Sequence, residues 1–132
     1  FKPYQRPNGD WDWPRTNILN YPVQGLAADF MTLARRIAWK SIKSLGFDDE
    51  VLFVSTIHDS IELDVDNSSL LIKDVGHLLE QAFSNIPTEF EHQYGVKVNI
   101  PLSGEIKVGM NLHEDNMVKL KDYLDKPGQF VV

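Results

Sequence analysis

The sequence predicts an α+β protein, a small antiparallel sheet with two helices packed on one face. Three observations predict it. The stretch from Asn20 to Gly46 carries apolar residues at helical spacing. Two β-rich runs, 51–57 and 61–65, then follow with only His58, Asp59 and Ser60 between them, which reads as a tight hairpin. A second amphipathic stretch, 67–86, comes directly after.

Taken in order, residues 1–19 contain Asn8-Gly9 between Tyr- and Trp-bearing arms, a strong hairpin signal. In 20–46, Asn20 suits a cap, Pro22 a first turn and Gly46 a stop. Val23, Leu26, Ala27, Phe30, Ala34, Ile37, Ala38 and Leu45 fall near one face. The helix is expected to run about 24 residues, or roughly 36 Å. Gly25 near its start costs about 1 kcal/mol relative to Ala, a choice that a close approach of another backbone or a ligand would explain. In 51–65, Ile61, Leu63 and Val65 alternate with Glu62 and Asp64, the pattern of a strand with one buried face. The 67–86 helix has Asn67 or Ser68 as its cap and Leu71, Val75, Leu78, Leu79, Ala82 and Ile86 as its apolar face. The 96–110 region, "VKVNIPL" and "GEIKVGM", reads as extended strands. Residues 113–132 form a polar tail, with room for a short helix, ending "KPGQFVV".

Composition sets the outer bounds. With 132 residues, 42% hydrophobic and 24% charged, the chain suits one globular domain or part of a larger protein. No apolar run approaches the ~20 residues of a membrane span, and no leader-like apolar segment follows the start, so no membrane partner is expected. The absence of cysteine excludes disulfides and thiolate-held metal, and fits a reducing, cytoplasmic setting. The sequence opens on Phe1 rather than Met, so a fragment or a processed product is expected. Net charge is −6, but it is unevenly spread: residues 1–43 carry seven Lys or Arg against three Asp, and residues 44–132 carry six Lys against sixteen acids. A basic first third can face phosphates while the remainder does not.

The polar tip "IHDSI" is the candidate site. A carboxylate at a hairpin tip, here Asp59, can point into a cleft and hold a hard cation. Asp and Ser are also common turn residues, because their side chains bond nearby backbone. A His-Asp phosphohydrolase would need further ligands, and His77, His92 and His113 form no such set at ligand spacing.

The order of two motifs sharpens the reading. "NYPVQGLAADFM" followed about 30 residues later by "STIHDSIELDV" resembles the C-terminal palm of family A, DNA polymerase I-like, DNA polymerases, especially the phage type. In that family an Asn-x-Pro-x-Gln-Gly-x-Ala-Ala-Asp stretch opens a long palm helix, and a strand pair with His-Asp at its turn follows as motif C. "GEIKVGMNL" matches the family's final strand. The resemblance covers about Arg15 to Leu112, and assigns 1–112 to the palm. It implies that Asp59 is the motif C carboxylate holding catalytic Mg²⁺ in a two-metal site, and that His58 contacts the primer end. It also implies that Asn20 and Gln24 meet the DNA minor groove. Groove-edge acceptors are common to all base pairs, so amide donors there sense pairing without reading sequence. Without the resemblance, Asn20 reads as a cap and Gln24 as a surface residue.

The chain departs from the family pattern in places. Ser60 stands where many members have Glu, so this chain lacks that second charge. Many members have Arg four residues before the Asn; here that position is Thr16 and the cation is Arg15, a candidate phosphate contact. Motif A, with the other metal-binding Asp, and the fingers helix that holds the triphosphate are absent. Only one ligand of the Mg²⁺ pair is therefore supplied here. The expected function is the C-terminal palm part of a DNA-directed DNA polymerase, inactive alone. Its expected partners are primer-template DNA, dNTP and the N-terminal remainder of the polymerase, in the host cytoplasm if phage-encoded. Self-association of the exposed fragment is expected too. The rival expectation is a non-catalytic protein-binding or DNA-binding module derived from such a palm.

Overall fold

The computed structural model describes residues 1–126; the "PGQFVV" end of the expected tail lies outside the described residues. The chain is α+β. In order, its elements are β1 (Tyr4–Gln5), β2 (Trp11–Asp12), α1 (Arg15–Leu45), β3 (Val51–Ile57), β4 (Ser60–Val65), α2 (Ser69–Ser84), α3 (Ile86–Tyr94), β5 (Lys107–Gly109), β6 (Met117–Lys119) and α4 (Leu120–Asp125). The strands form three separate antiparallel pairs, β1–β2, β3–β4 and β5–β6.

The first pair closes around Asn8-Gly9 with Gly9 at φ 90°, a conformation glycine adopts without steric cost. Asp12 anchors this hairpin by bonding the Arg6 guanidinium.

Helix α1 departs from expectation at its start. It begins at Arg15, not Asn20, and Pro22 lies inside it. Asn20 is therefore a helical residue rather than a cap. The first turn is set further upstream, where the Ile18 amide donates to the Pro14 carbonyl at 3.0 Å. Pro22 cannot donate to the Ile18 carbonyl, and the helix continues because this half is exposed and water can serve the freed oxygen. The expected stop holds: Gly46 takes the left-handed conformation (φ 76°), and the Phe47 amide donates to the Ile42 carbonyl at 3.1 Å.

The core sits where the second half of α1 and helix α2 cover one face of the β3–β4 hairpin. Ala38 and Ile42 of α1, Val51 of β3, and Leu71, Val75, Leu78, Leu79 and Ala82 of α2 are buried together, with Phe53, Leu63 and Val65 packed against them. The alternation of β4 supplies Leu63 and Val65 to this face. A bulge between Phe53 and Ser55 shifts the β3 register, so that Val51 and Thr56 both pair opposite core-facing residues, Val65 and Ile61.

The expected 67–86 helix is α2, with Ile86 of its expected face passing into a further helix that the sequence reading did not foresee. Ser68 caps α2 by accepting from the Leu71 amide at 3.4 Å, and α2 ends at Ser84. Helix α3 then begins at once, with Pro87 in its first turn and Gly95 at its left-handed stop. Ile86 and Phe90, one turn apart, join Leu33 and Ala34 in a second core cluster.

The expected strands over 96–110 reduce to β5. Val98 and Leu102 pack on the second cluster while Val96 and Ile100 are exposed. That alternation reflects burial, not pairing, since Pro101 has no amide to give a neighbouring strand. Residues 113–126 are more ordered than a polar tail: β6 pairs with β5, and α4 buries Leu120 and Tyr123. Leu120 fits because Gly76 of α2 leaves room beneath it.

Candidate functional site

The tip of the β3–β4 hairpin is a two-residue turn, His58-Asp59, with Ile57 paired to Ser60. A two-residue hairpin turn needs a positive φ at its first position, and His58 supplies it at 50°. For a residue with a Cβ this costs about 1–2 kcal/mol. Backbone held in such a region gathers at functional sites, where the surrounding ladder enforces it. Ser60 closes the turn, its hydroxyl donating to the Ile57 carbonyl at 2.9 Å. That bond accounts for serine here on structural grounds.

His58 and Asp59 are both exposed, and Asp59 lines a cleft of about 780 Å³. Ala27 and Met31 of α1, Glu62 and Asp64 of β4, and the 102–112 segment line the same cleft, over an apolar floor that includes Leu79 and Phe83. Sequence reasoning passed over Glu62 as merely solvent-facing. One of its carboxylate oxygens is instead shut off from solvent and has no hydrogen-bond partner among the described residues. An unpaired acceptor of this kind is costly to bury. The signal for it in sequence is only that Glu62 follows Ser60 on the same strand face.

Asn20 and Gln24 are exposed on the first half of α1. Asn20, Gln24, Ala27 and Met31 recur at helical spacings of four, three and four residues, so they form one stripe. Ala27 and Met31 line the cleft with Asp59, and Asn20 and Gln24 do not. Outside its own helix backbone and chain neighbours, no atom of the described residues lies within 4 Å of a Cβ built at Gly25, so nothing among them explains the glycine. Arg15 is not brought to this stripe. Five residues turn a helix by roughly 140°, and the Arg15 guanidinium lies 3.7 Å from Asp12 at the end of β2.

Among the described residues, no group of three or more His, Asp or Glu side chains could hold a metal ion. Asp59 is one exposed carboxylate, and a lone carboxylate leaves Mg²⁺ mostly hydrated. The described residues do not by themselves complete a divalent-cation site. His77 and His113 are engaged elsewhere, 3.2 Å from Glu80 and 3.7 Å from Asp115. No helix among the described residues is long and apolar enough to cross a membrane.

Comparison of the chain with family models, curated proteins and solved structures returned no match.

Proposed function

We propose that this chain is the C-terminal palm part of a family A, phage-type DNA polymerase, acting in template-directed transfer of a nucleotide from a dNTP to a primer 3′-hydroxyl. The observation that carries the reading is the shared stripe and cleft. The α1 face bearing Asn20 and Gln24 continues, through Ala27 and Met31, into the cleft that Asp59 lines. Duplex DNA lying along exposed α1 would meet two amide donors in its minor groove, while its primer end reached the hairpin tip. Gly25, beside Gln24 and without a neighbour in the chain, would let the sugar-phosphate backbone come close.

In this reading Asp59 is one carboxylate of a Mg²⁺ site whose other ligands come from the N-terminal remainder of the enzyme. His58, exposed at the strained turn, contacts the primer end. Arg15, already beside Asp12, contacts phosphate only by giving up that pair. Such an enzyme works in the cytoplasm of a cell or an infected host. A non-catalytic module using the same surface is the second reading, and the exposed Leu19 and Val23 on α1 favour it.

The test is reconstitution. The chain is mixed with an upstream polypeptide carrying motif A and the fingers, with primer-template, dNTPs and Mg²⁺. Extension is expected from the pair, from neither part alone, and not when Asp59→Ala replaces the wild type. Equal extension with Asp59→Ala would overturn the assignment of Asp59. No extension, with tight association of the two parts, would favour the non-catalytic module.

A further inference from the structure

The far face of α1 carries a feature that the proposed polymerase role does not use. Between Phe30 and Phe47 the sequence has no Asp or Glu, yet it has Arg35, Arg36, Lys40 and Lys43. All four are exposed, and so is Trp39, at 49%. Helical spacing sets Trp39, Arg36 and Lys43 on the side away from buried Ala34 and Ala38, with Arg35 and Lys40 on its two flanks beside buried Ile42 and Leu33. We propose that this face, centred on Trp39, binds a single-stranded nucleic acid, with a base stacked on the indole and phosphates held by Arg35, Lys40 and Lys43.

The cations are available. Arg36 is committed to α3, donating to Gln93 at 2.9 Å and lying 3.8 Å from Glu89. None of the ion pairs among the described residues involves Arg35, Lys40 or Lys43. The Lys43 ammonium sits over one face of the Trp39 ring, 4.7 Å from its centroid, so a base stacks on the other face, with its phosphate near that cation. A blander account has the cations offsetting the helix C-terminal dipole, which acts within the last turn. That covers Lys43 but not Arg35, two turns earlier, nor a half-exposed tryptophan among them. Charge also selects the partner, because residues 44–132 are strongly acidic and the cations concentrate in the first third. Between polyanions, the tryptophan decides. An acidic peptide or a paired duplex offers it no free aromatic face, whereas an unpaired base does.

This site is distinct from the Asn20–Gln24 stripe. Trp39 and Lys40 are separated from Gln24 by roughly 22–24 Å along the helix axis, and Lys40 lies on the other side of it, while Arg35, four residues past Met31, lies nearer that stripe. The inference therefore does not rest on the polymerase reading, and either can fail without the other.

The test is fluorescence anisotropy of a labelled short oligothymidylate titrated with the full chain at low salt. Binding is expected, weakened about tenfold by Trp39→Ala and preserved by Trp39→Phe, since stacking needs an aromatic face. The double variant Lys40→Glu/Lys43→Glu is expected to weaken binding and to lower the salt slope by about 1.4. Lys97→Gln, at an exposed cation outside α1, is expected to leave it unchanged. Circular dichroism verifies folding of each variant, and the exposed positions chosen make loss of fold an unlooked-for result. The proposal is overturned by absence of binding, by equal binding of Trp39→Ala, or by a loss of binding in Lys97→Gln as large as in Trp39→Ala. Competition by polyglutamate as strong as by unlabelled oligothymidylate would also overturn it, marking the face as one for acidic polypeptides.

Discussion

Asp59 and Ile42 show how differently two side chains can matter. Ile42 is 1% exposed, among the largest fully buried side chains, and it sits where α1 meets α2 and β3. Ile42→Ala removes that packing and leaves a cavity, so unfolding free energy should fall by about 2–5 kcal/mol in a urea titration. Asp59→Ala removes an exposed carboxylate and should move the same midpoint very little. His58 lies between these cases. Its φ of 50° is strained for any residue with a Cβ, so His58→Gly should raise stability by up to about 1 kcal/mol. If His58 serves the primer end, the same variant should extend primers less well in the reconstituted enzyme. Stability gained with activity lost would mark the strain as functional; stability and activity both unchanged would mark His58 as an ordinary turn residue.

The elements divide into anchored and unanchored parts. Helix α1 is one rod of 31 residues, yet its buried residues, Leu33, Ala34, Ala38 and Ile42, all lie in its second half. The first half is held by little more than its own backbone bonds, and Pro22 removes one of these. Amide hydrogen exchange should therefore be fast over residues 16–29 and slow over 33–45, because opening the first half exposes no core. Pro22→Ala should slow exchange in the first half while leaving global unfolding nearly unchanged. Uniform protection along α1 would contradict this division.

The β5–β6 pair has its own electrostatic clamp. The Lys119 ammonium donates to the Glu105 carboxylate at 2.6 Å. That bond and the ammonium's charge hold the Glu105 carboxyl below its ordinary range, and they raise Lys119 in turn. A lowered carboxyl contributes stability that is present above its unfolded-state pKa and lost as pH falls through the folded one. A raised ammonium contributes stability that is lost as pH rises through its folded pKa. Exchange protection of Lys107–Gly109 should thus drop at the acid end and again at the strongly alkaline end. Glu105→Gln and Lys119→Met should each remove both limbs, because the same bond shifts both groups. Since both groups are exposed, the effect is expected to be local to this pair.

For the molecule as a whole, the open question is what covers its surface. The three strand pairs leave unpaired edges, including those of β3 and β4, and Leu52 and Val54 are exposed on β3. Phe1, Trp11, Trp13, Leu19, Tyr21 and Val23 are exposed at the N-terminal end. Free edges and apolar surface invite pairing. Light scattering over a concentration series should show association that grows with concentration. If the proposed polymerase reading holds, adding an upstream polypeptide with motif A and the fingers should reverse it. A strictly monomeric chain at high concentration would count against exposed edges as a driving force.

The amino-acid sequence by itself determined the α+β class, the β1–β2 and β3–β4 hairpins, the apolar face of α2, and the stop at Gly46. Each is a local matter: alternation, helical period, Asn-Gly, and a glycine able to take positive φ. Of the expected α1 face, Ala34 and Ala38 are buried, but Val23, Leu26, Ala27 and Leu45 are exposed, and Leu33 and Ile42 are buried instead. The start of α1 was not legible, because proline is common in a first turn, and only an exposed helix with hydrated carbonyls lets Pro22 lie deeper. Helix α3 was missed although Pro87, Ile86–Phe90 and Gly95 signal it, since its pattern runs on from that of α2 without a gap. Whether 96–102 pairs as a strand depends on a neighbour that no local pattern encodes. The site divides in the same way. Its residue types, Asp59 and His58 at a tip and Asn20 with Gln24 one turn apart, are written in the chain. Only the packing of α1 against the hairpin decided that the Asn20–Gln24 face runs into the cleft of Asp59, that Arg15 turns away to Asp12, and that Glu62 hides an unpaired oxygen. Those facts depend on contacts between residues distant in sequence, which burial of the shared core alone creates.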